Sequence, residues 1–414
     1  SRMTLLKYID RSQRRIVRDL QQMVRCPTVN PPGEQYRTMA DYLGDRCRGL
    51  DMRTKVHHVP DADLVKVGVD PAFPRYNVVA SLDVGADRTV HFNAHYDVVP
   101  VTTADWHHDP FGGQIHGQWV VGRGAGDMKG SIASLLAALE AFKETETKPA
   151  MNVECSFTAD EETGGALGAG WVVENGLVHA DYAIVCEGSS GSRVGLGHNG
   201  VLWLQVSLSG KAAHASSPDR GINAFEHMAL VVSRLQDIKR RFTARSRRWR
   251  DPGGGDRSPT ISLGGVFNGG EGQKVNTVPG SASFTIDRRL VPGGRISAAR
   301  AELVEVIEAA AAVVGAKIQV ETLLAIEPCT TAAEEPLAQA FAETVRSVRR
   351  RVPGFRVTTG FTDLHYFVDG ARLPGIGYGV DGERAHGADE RVPMRDLVLT
   401  AKTYAEFLRR GIDD

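Results

Sequence analysis

The stretch Val90-His91-Phe92-Asn93-Ala94-His95-Tyr96-Asp97-Val98-Val99-Pro100 reads as a strand that ends in chemistry. Period-2 alternation puts His95 and Asp97 on the same side, where the carboxylate can orient the imidazole ring. Two further segments repeat the plan. The apolar run 153–159 leads directly into Asp160-Glu161-Glu162-Thr163-Gly164-Gly165, and Tyr182-Ala183-Ile184-Val185-Cys186 closes on Glu187. Ahead of both, Gly122-Arg123-Gly124-Ala125-Gly126-Asp127-Met128-Lys129-Gly130 is a glycine-rich turn feeding Ile132, Leu135, Leu136 and Leu139 at helical spacing. Asp127 therefore falls at a loop-to-helix junction, where one carboxylate can bridge two cations. Strand and helix patterns alternate up to Glu187, which predicts an α/β fold with a mixed, largely parallel sheet covered by helices. In such sheets, sites form at the carboxyl ends of the strands, and that is where these groups lie.

At 414 residues the chain exceeds one ordinary core, so two domains are expected. The pattern changes after Ser189-Ser190-Gly191-Ser192, starting with the alternating run Val201-Leu202-Trp203-Leu204-Gln205-Val206-Ser207-Leu208. A helix is predicted over 224–239, strands over 260–263 and 282–287, and an alanine-rich helix over 296–314. This succession fits a small α+β domain inserted at 198–324, with the first domain formed discontinuously from 1–197 and 325–414. Upstream, one amphipathic helix is predicted over 4–24, ending before Pro27, Pro31 and Pro32.

A content of 42% hydrophobic and 24% charged residues is ordinary for a globular chain and argues against extended disorder. The net charge of -1 excludes a global field for nucleic acid or an anionic membrane. The basic segment Lys239-Arg240-Arg241 through Arg245, Arg247, Arg248 and Arg250 reads as a solvated loop, since no interleaved aromatics accompany it. Five cysteines with no CxxC pair disfavour a disulfide framework and fit a reducing cytoplasm. No apolar run reaches the roughly 18 residues a membrane span needs.

A fifth group, His386 in Arg384-Ala385-His386-Gly387-Ala388-Asp389-Glu390, completes a potential ligand set of three carboxylates and two imidazoles. That set suits zinc, yet is hard enough for manganese or cobalt. Adjacent carboxylates diverge, so one of Glu161 and Glu162 can bind metal while the other handles protons. Singly, each of these residues has a bland reading, an exposed turn or a structural histidine; together they do not.

In this order the five segments resemble the co-catalytic metallopeptidase and deacylase family that includes acetylornithine deacetylase, succinyl-diaminopimelate desuccinylase, aminoacylase and glutamate carboxypeptidase. The resemblance runs from about Val24 to Phe407. It implies a zinc-peptidase-like catalytic domain with an inserted lid and dimerisation domain. It also implies two divalent ions bridged by Asp127, one held by His95 and Glu187 and the other by Glu162 and His386. Zinc is the family expectation, and filling of both sites depends on affinity and supply. Asp97 would orient His95, and Glu161 would be the general base for water activated between the metals. Gly210-Lys211-Ala212-Ala213-His214-Ala215-Ser216 resembles the lid motif, which implies that His214 reaches the partner subunit's site and stabilises an oxyanion. Asn276 and Arg289 match positions that hold a substrate carboxylate. Three departures stand out: Ala94 replaces a glycine, Gly188 replaces a proline, and Phe361 in Gly360-Phe361-Thr362-Asp363 replaces a second glycine.

The resulting expectation is a hydrolase that cleaves the amide C–N bond of an N-acyl amino acid or small peptide carrying a carboxylate. Membrane and nucleic acid are not expected as partners. The alternative is an aminohydrolase that uses the same site to release ammonia from an unusual, aromatic acid, with which Phe361 and Trp203 are compatible. A binding protein that merely kept this fold would be expected to lack the base or a ligand, whereas this chain keeps Glu161 and all five.

Overall fold

The computed structural model describes residues 3–188, 191–245 and 248–413. Ser189 and Ser190 of the expected junction, and Arg247 of the basic segment, lie outside the described residues. The chain forms two compact units, one of 1–197, 330–357 and 362–414, the other of 198–329 and 358–361.

The first unit carries a mixed sheet. Part of its order runs from Arg53–His58 through Tyr76–Leu82, Asn152–Thr158, Thr89–His95 and Tyr182–Val185 to Gly375–Gly377, beyond which Arg193–His198 pairs antiparallel. The first three strands pair antiparallel. From Asn152–Thr158 to Gly375–Gly377 every pairing is parallel. Nearly all of Thr89–His95 is buried, as expected for a parallel strand covered on both faces. Gly130–Glu144 has almost no exposed side chains and packs against Met394–Arg410 and Gln13–Val24. Tyr404 on Met394–Arg410 meets Phe92 edge-on at 5.6 Å, joining helix to sheet.

The predicted helix over 4–24 is two, Leu5–Asp10 and Gln13–Val24. At the break, Ser12 Oγ donates to the Tyr8 carbonyl at 2.7 Å, a local bond that competes with helical pairing.

In the second unit four antiparallel strands run in the order Thr260–Asn268, Ser281–Leu290, Gly200–Ser209 and Lys317–Ile326. Burial alternates along Ser281–Leu290. Its inward residues Phe284 and Ile286 join Leu204 and Val206 against the helices Ala224–Arg245 and Ile296–Val314. Each such side chain contributes about 1.5–3 kcal/mol on burial. This unit extends beyond residue 324 because Lys317–Ile326 keeps pairing as far as Ile326 opposite Val201. Residues 358–361 return to it, and the Thr358 carbonyl accepts from Asn199 N at 2.9 Å. The basic segment is not a loop at its start: helix Ala224–Arg245 runs through Lys239 to Arg245, since Lys and Arg are good helix formers and the first breaker is Pro252. Beyond it, Trp249–Arg250 pairs with Asp256–Arg257 in a hairpin.

Candidate metal centre

Three adjacent parallel strands deliver most of the candidate ligands. His95 ends its strand opposite Thr158, and Asn93 lies opposite Val185, so the residues following Thr158 and Val185 emerge at the same sheet edge. After Thr158 the chain turns at Asp160, whose φ is 63°. This left-handed residue is locked by Arg75 Nε at 2.9 Å from Oδ2, and by Tyr36 Oη and Asn30 Nδ2, which donate to Oδ1 at 2.8 and 3.2 Å. The turn then presents Glu161 and Glu162 in a single 3₁₀ turn.

Asp97 ties these segments together. Its Oδ1 accepts from Glu161 N and its Oδ2 from Glu162 N, each at 3.1 Å. The same carboxylate lies 3.2 Å from His95 Nδ1, while Asn30 Nδ2 donates to Oδ2 at 3.2 Å. That leaves His95 Nε2 free to face the cluster. Asp127 follows the turn at Gly124 and precedes helix Gly130–Glu144; the Asp127–Met128 peptide bond is cis.

The two oxygens of Asp127 face different imidazoles, Oδ1 lying 3.1 Å from His95 Nε2 and Oδ2 3.1 Å from His386 Nε2. Glu162 Oε2 is 3.1 Å from His386 Nε2, and Glu187 Oε2 is 3.8 Å from His95 Nε2. The ligand atoms of His95, Asp127 and Glu162 lie within 4.8 Å of one another, as do those of His95, Glu161 and Glu187. Glu161 Oε2 sits 3.5 Å from His95 Nε2, near enough to serve as ligand or base.

Burial, and then the Glu187 charge, push the Glu161 carboxyl well above its usual range. Glu187 is raised likewise by burial and the Asp127 charge. Glu162 is pushed up to about 7 by burial and the Asp127 charge. Burial opposes ionisation of Asp127 too, but hydrogen bonds from His386 and His95 hold it below the usual carboxylate range. Hydrogen bonds to Asp127 and Glu162 lift His386 to about 10. Burial alone would depress His95, yet the Glu161 charge and its bonds to Asp127 and Asp97 keep it well above the imidazole norm. Glu187 Oε2 is buried without a hydrogen-bond partner. Carboxylates packed so closely, with one oxygen orphaned, call for positive charge. The donor set of oxygens and imidazole nitrogens fits divalent cations.

Sequence reading passed over two buried acids. Asp363 is 1% exposed, its Oδ2 has no hydrogen-bond partner, and burial raises its carboxyl to about 8. The other is Glu390, within the quoted His386 segment. Both stand in quoted motifs, Asp363 at the end of 360–363, but only tertiary proximity shows them buried at the site.

The remaining candidates lie in the second unit. His214 pairs with Thr277 in the short pairing of Ala213–His214 with Thr277–Val278, and Asn276, just before it, accepts at its carbonyl from Ala215 N at 2.9 Å. His214 is exposed, with Nδ1 2.7 Å from Ser216 Oγ. Arg289 is engaged by Asp287 through two bonds of 2.7 and 3.0 Å. Phe361 is half-buried, and Trp203 is 37% exposed on its strand.

With this geometry in hand, residues 91–410 match the description peptidase family M20/M25/M40. The chain belongs to that family. This M20-family protein is 26% identical to succinyl-diaminopimelate desuccinylase of Dinoroseobacter shibae over 396 residues, covering 94% of this chain and 96% of that one. Its fold matches an M20 family metallo-carboxypeptidase of Sulfolobus solfataricus with a TM-score of 0.76 at 19% identity, over 95% of this chain and 98% of that one. The di-peptidase Dug1p of Saccharomyces cerevisiae matches with a TM-score of 0.77 at 16% identity, over 98% and 97%. The M20-family chain is thus a metal-dependent C–N hydrolase with a mixed α/β fold. No described helix is long and apolar enough to cross a membrane.

Proposed function

We propose that this enzyme hydrolyses the amide C–N bond of an N-acyl amino acid at a dinuclear centre held by His95, Asp127, Glu162, Glu187 and His386. The carrying observation is Asp127, whose two oxygens each lie 3.1 Å from a different imidazole. His95 and Glu187 would hold one ion, Glu162 and His386 the other, and Asp127 both. When bound, two divalent cations polarise the amide carbonyl and lower the pKa of water toward neutrality. Glu161, buried beside His95, takes the proton from water and returns it to the leaving nitrogen, giving a carboxylic acid and an amine. Relatives named as desuccinylases that span nearly the whole chain support an acylated amino acid over a longer peptide. Zinc is the first metal to test, with manganese second.

Asn276 and Arg289 are the candidates for the substrate carboxylate, and Phe361 for selectivity toward a flat substrate. Among the described residues no disulfide joins the five cysteines, which supports a reducing cytoplasmic setting. The second unit's edge strand Thr260–Asn268 exposes Val266 and Phe267, and its helix exposes Phe225 and Leu230. An edge strand beside exposed apolar residues supports pairing with a second copy, and in that dimer His214 stabilises the oxyanion in trans.

Metal-stripped protein reloaded with zinc or manganese and given N-acyl amino acids, dipeptides and aminobenzoates is expected to release free amino acid. Ammonia without amino acid would replace this reading with deamination. Glu161→Gln should retain its metal and lose at least about 10²–10⁴-fold in turnover; near-normal turnover would remove Glu161 as the base.

A further inference from the structure

Glu390 is absent from the ligand set, yet it holds the backbone that presents Asp127. Its Oε2 accepts from the N–H groups of Gly124, Gly126 and Asp127, each at 3.0 Å. Three backbone donors converging on one point form the kind of nest that binds anions, and here the protein's own carboxylate fills it. Glu390 Oε1 accepts from Arg123 Nη1 at 3.0 Å, and both side chains are buried. Arg123 Nη1 also donates to the carbonyl of Gly387, next to His386, at 2.9 Å, while Nη2 donates to the Pro100 carbonyl at 3.3 Å. The Glu390 carbonyl accepts from Gly122 N at 2.8 Å. One ion pair therefore joins the two irregular segments that carry Asp127 and His386.

The other ligands are held in other ways. Glu162 is held through its N–H by Asp97, His95 ends and Glu187 follows a strand whose register is set by the sheet, and Cys186 N donates to the Asn93 carbonyl at 2.8 Å. His386 sits in a turn at φ 63° with its side chain 55% exposed; the turn is closed at its base by the bridge between Glu383 and Arg391 and tied by Asp389 Oδ2 to His107 Nδ1 at 2.7 Å, and the Glu390–Arg123 pair adds the link to the Asp127 segment.

We propose that the Glu390–Arg123 pair is a positioning device that sets the approach of His386 to Asp127 and thereby governs binding of the ion assigned to Glu162 and His386. The inference rests on the dinuclear reading above. It separates the two ions by degree: both share Asp127, but only one also needs His386, so disturbing the pair should weaken the Glu162–His386 ion more than the His95–Glu187 ion. Losing the partners that orient a ligand typically lowers metal affinity about 10–100-fold.

The test is calorimetric titration of the chelator-stripped full chain with manganese, with bound metal counted, for wild type, Glu390→Gln, Glu390→Asp and His386→Ala. In Glu390→Gln the side-chain amide cannot satisfy both Arg123 and the three N–H groups. The expected result is two binding steps in wild type, with the step that His386→Ala removes lowered about 10–100-fold in Glu390→Gln and the other step lowered less. Glu390→Asp keeps the charge and shortens the reach, so it carries the same expectation should Glu390→Gln fail to fold. A purely structural role would lower thermal stability while leaving the ratio of the two affinities unchanged, and that outcome overturns the proposal. If His386→Ala also leaves both steps unchanged, the dinuclear reading falls and takes this inference with it.

Discussion

Asp97 does more than orient an imidazole. Its two oxygens take the N–H groups of both Glu161 and Glu162 while one also faces His95 Nδ1, so base, ligand and histidine share one anchor. Removing it leaves those two backbone donors unpaired, each costing about 1–3 kcal/mol where buried. Asp97→Ala is therefore expected to weaken metal binding about 10–100-fold and to lower kcat, whereas Asp97→Asn, which keeps one acceptor oxygen, should fall between. Titration of the stripped variants reads this directly, and unchanged affinity in Asp97→Ala would refute the anchor. The pairing of His95 with Asp97 was legible from period-2 alternation. Capture of the 161–162 amides was not, because those donors belong to a segment more than 60 positions away.

Among elements, the turn at 159–163 is closely confined. A Cβ at Gly168 would meet the Ala159 carbonyl oxygen at 1.8 Å, two residues before Glu161. Gly168→Ala must push that backbone aside, at about 1–3 kcal/mol for overpacking. A lowered melting temperature and a lowered kcat are both expected, and full kcat in the destabilised variant would show the turn to be rigid by itself. The strands and the helix Ile296–Val314 follow from periodicity because burial of one face dictates it. The helix break at Ser12 and the helical extension through Lys239 were missed, since a side-chain bond decided the first and tolerance of exposed basic residues the second.

For the whole molecule, the acid cluster makes stability depend on pH when metal is removed. Glu162 rises from 4.5 to about 7, Asp363 from 3.8 to about 8 and His386 from 6.5 to about 10. Each group binds its proton more tightly folded than unfolded, so its stabilisation is full at low pH and lost as pH rises through the folded value. The chelator-treated protein should lose thermal stability between about pH 5 and pH 10, and metal should suppress that loss because its ligands must be deprotonated. A melting temperature that climbs across this interval without metal would contradict the cluster's electrostatics. At the same scale, light scattering is expected to find a dimer, and mixed dimers of Glu161→Gln with His214→Ala should regain activity. A monomer with full activity would exclude action of His214 in trans.

Local order alone determined the α/β class, the strand-end placement of His95, Glu161 and Glu187, and the insertion of a second alternating segment. These follow from periodicity and turn chemistry, which act between near neighbours. Tertiary structure alone decided that Asp127 faces two imidazoles, that Asp97 gathers three segments, and that Glu390 and Asp363 lie buried beside the site. Those contacts join residues tens to hundreds of positions apart. Their energies depend on which groups burial forces together, and no local pattern records that.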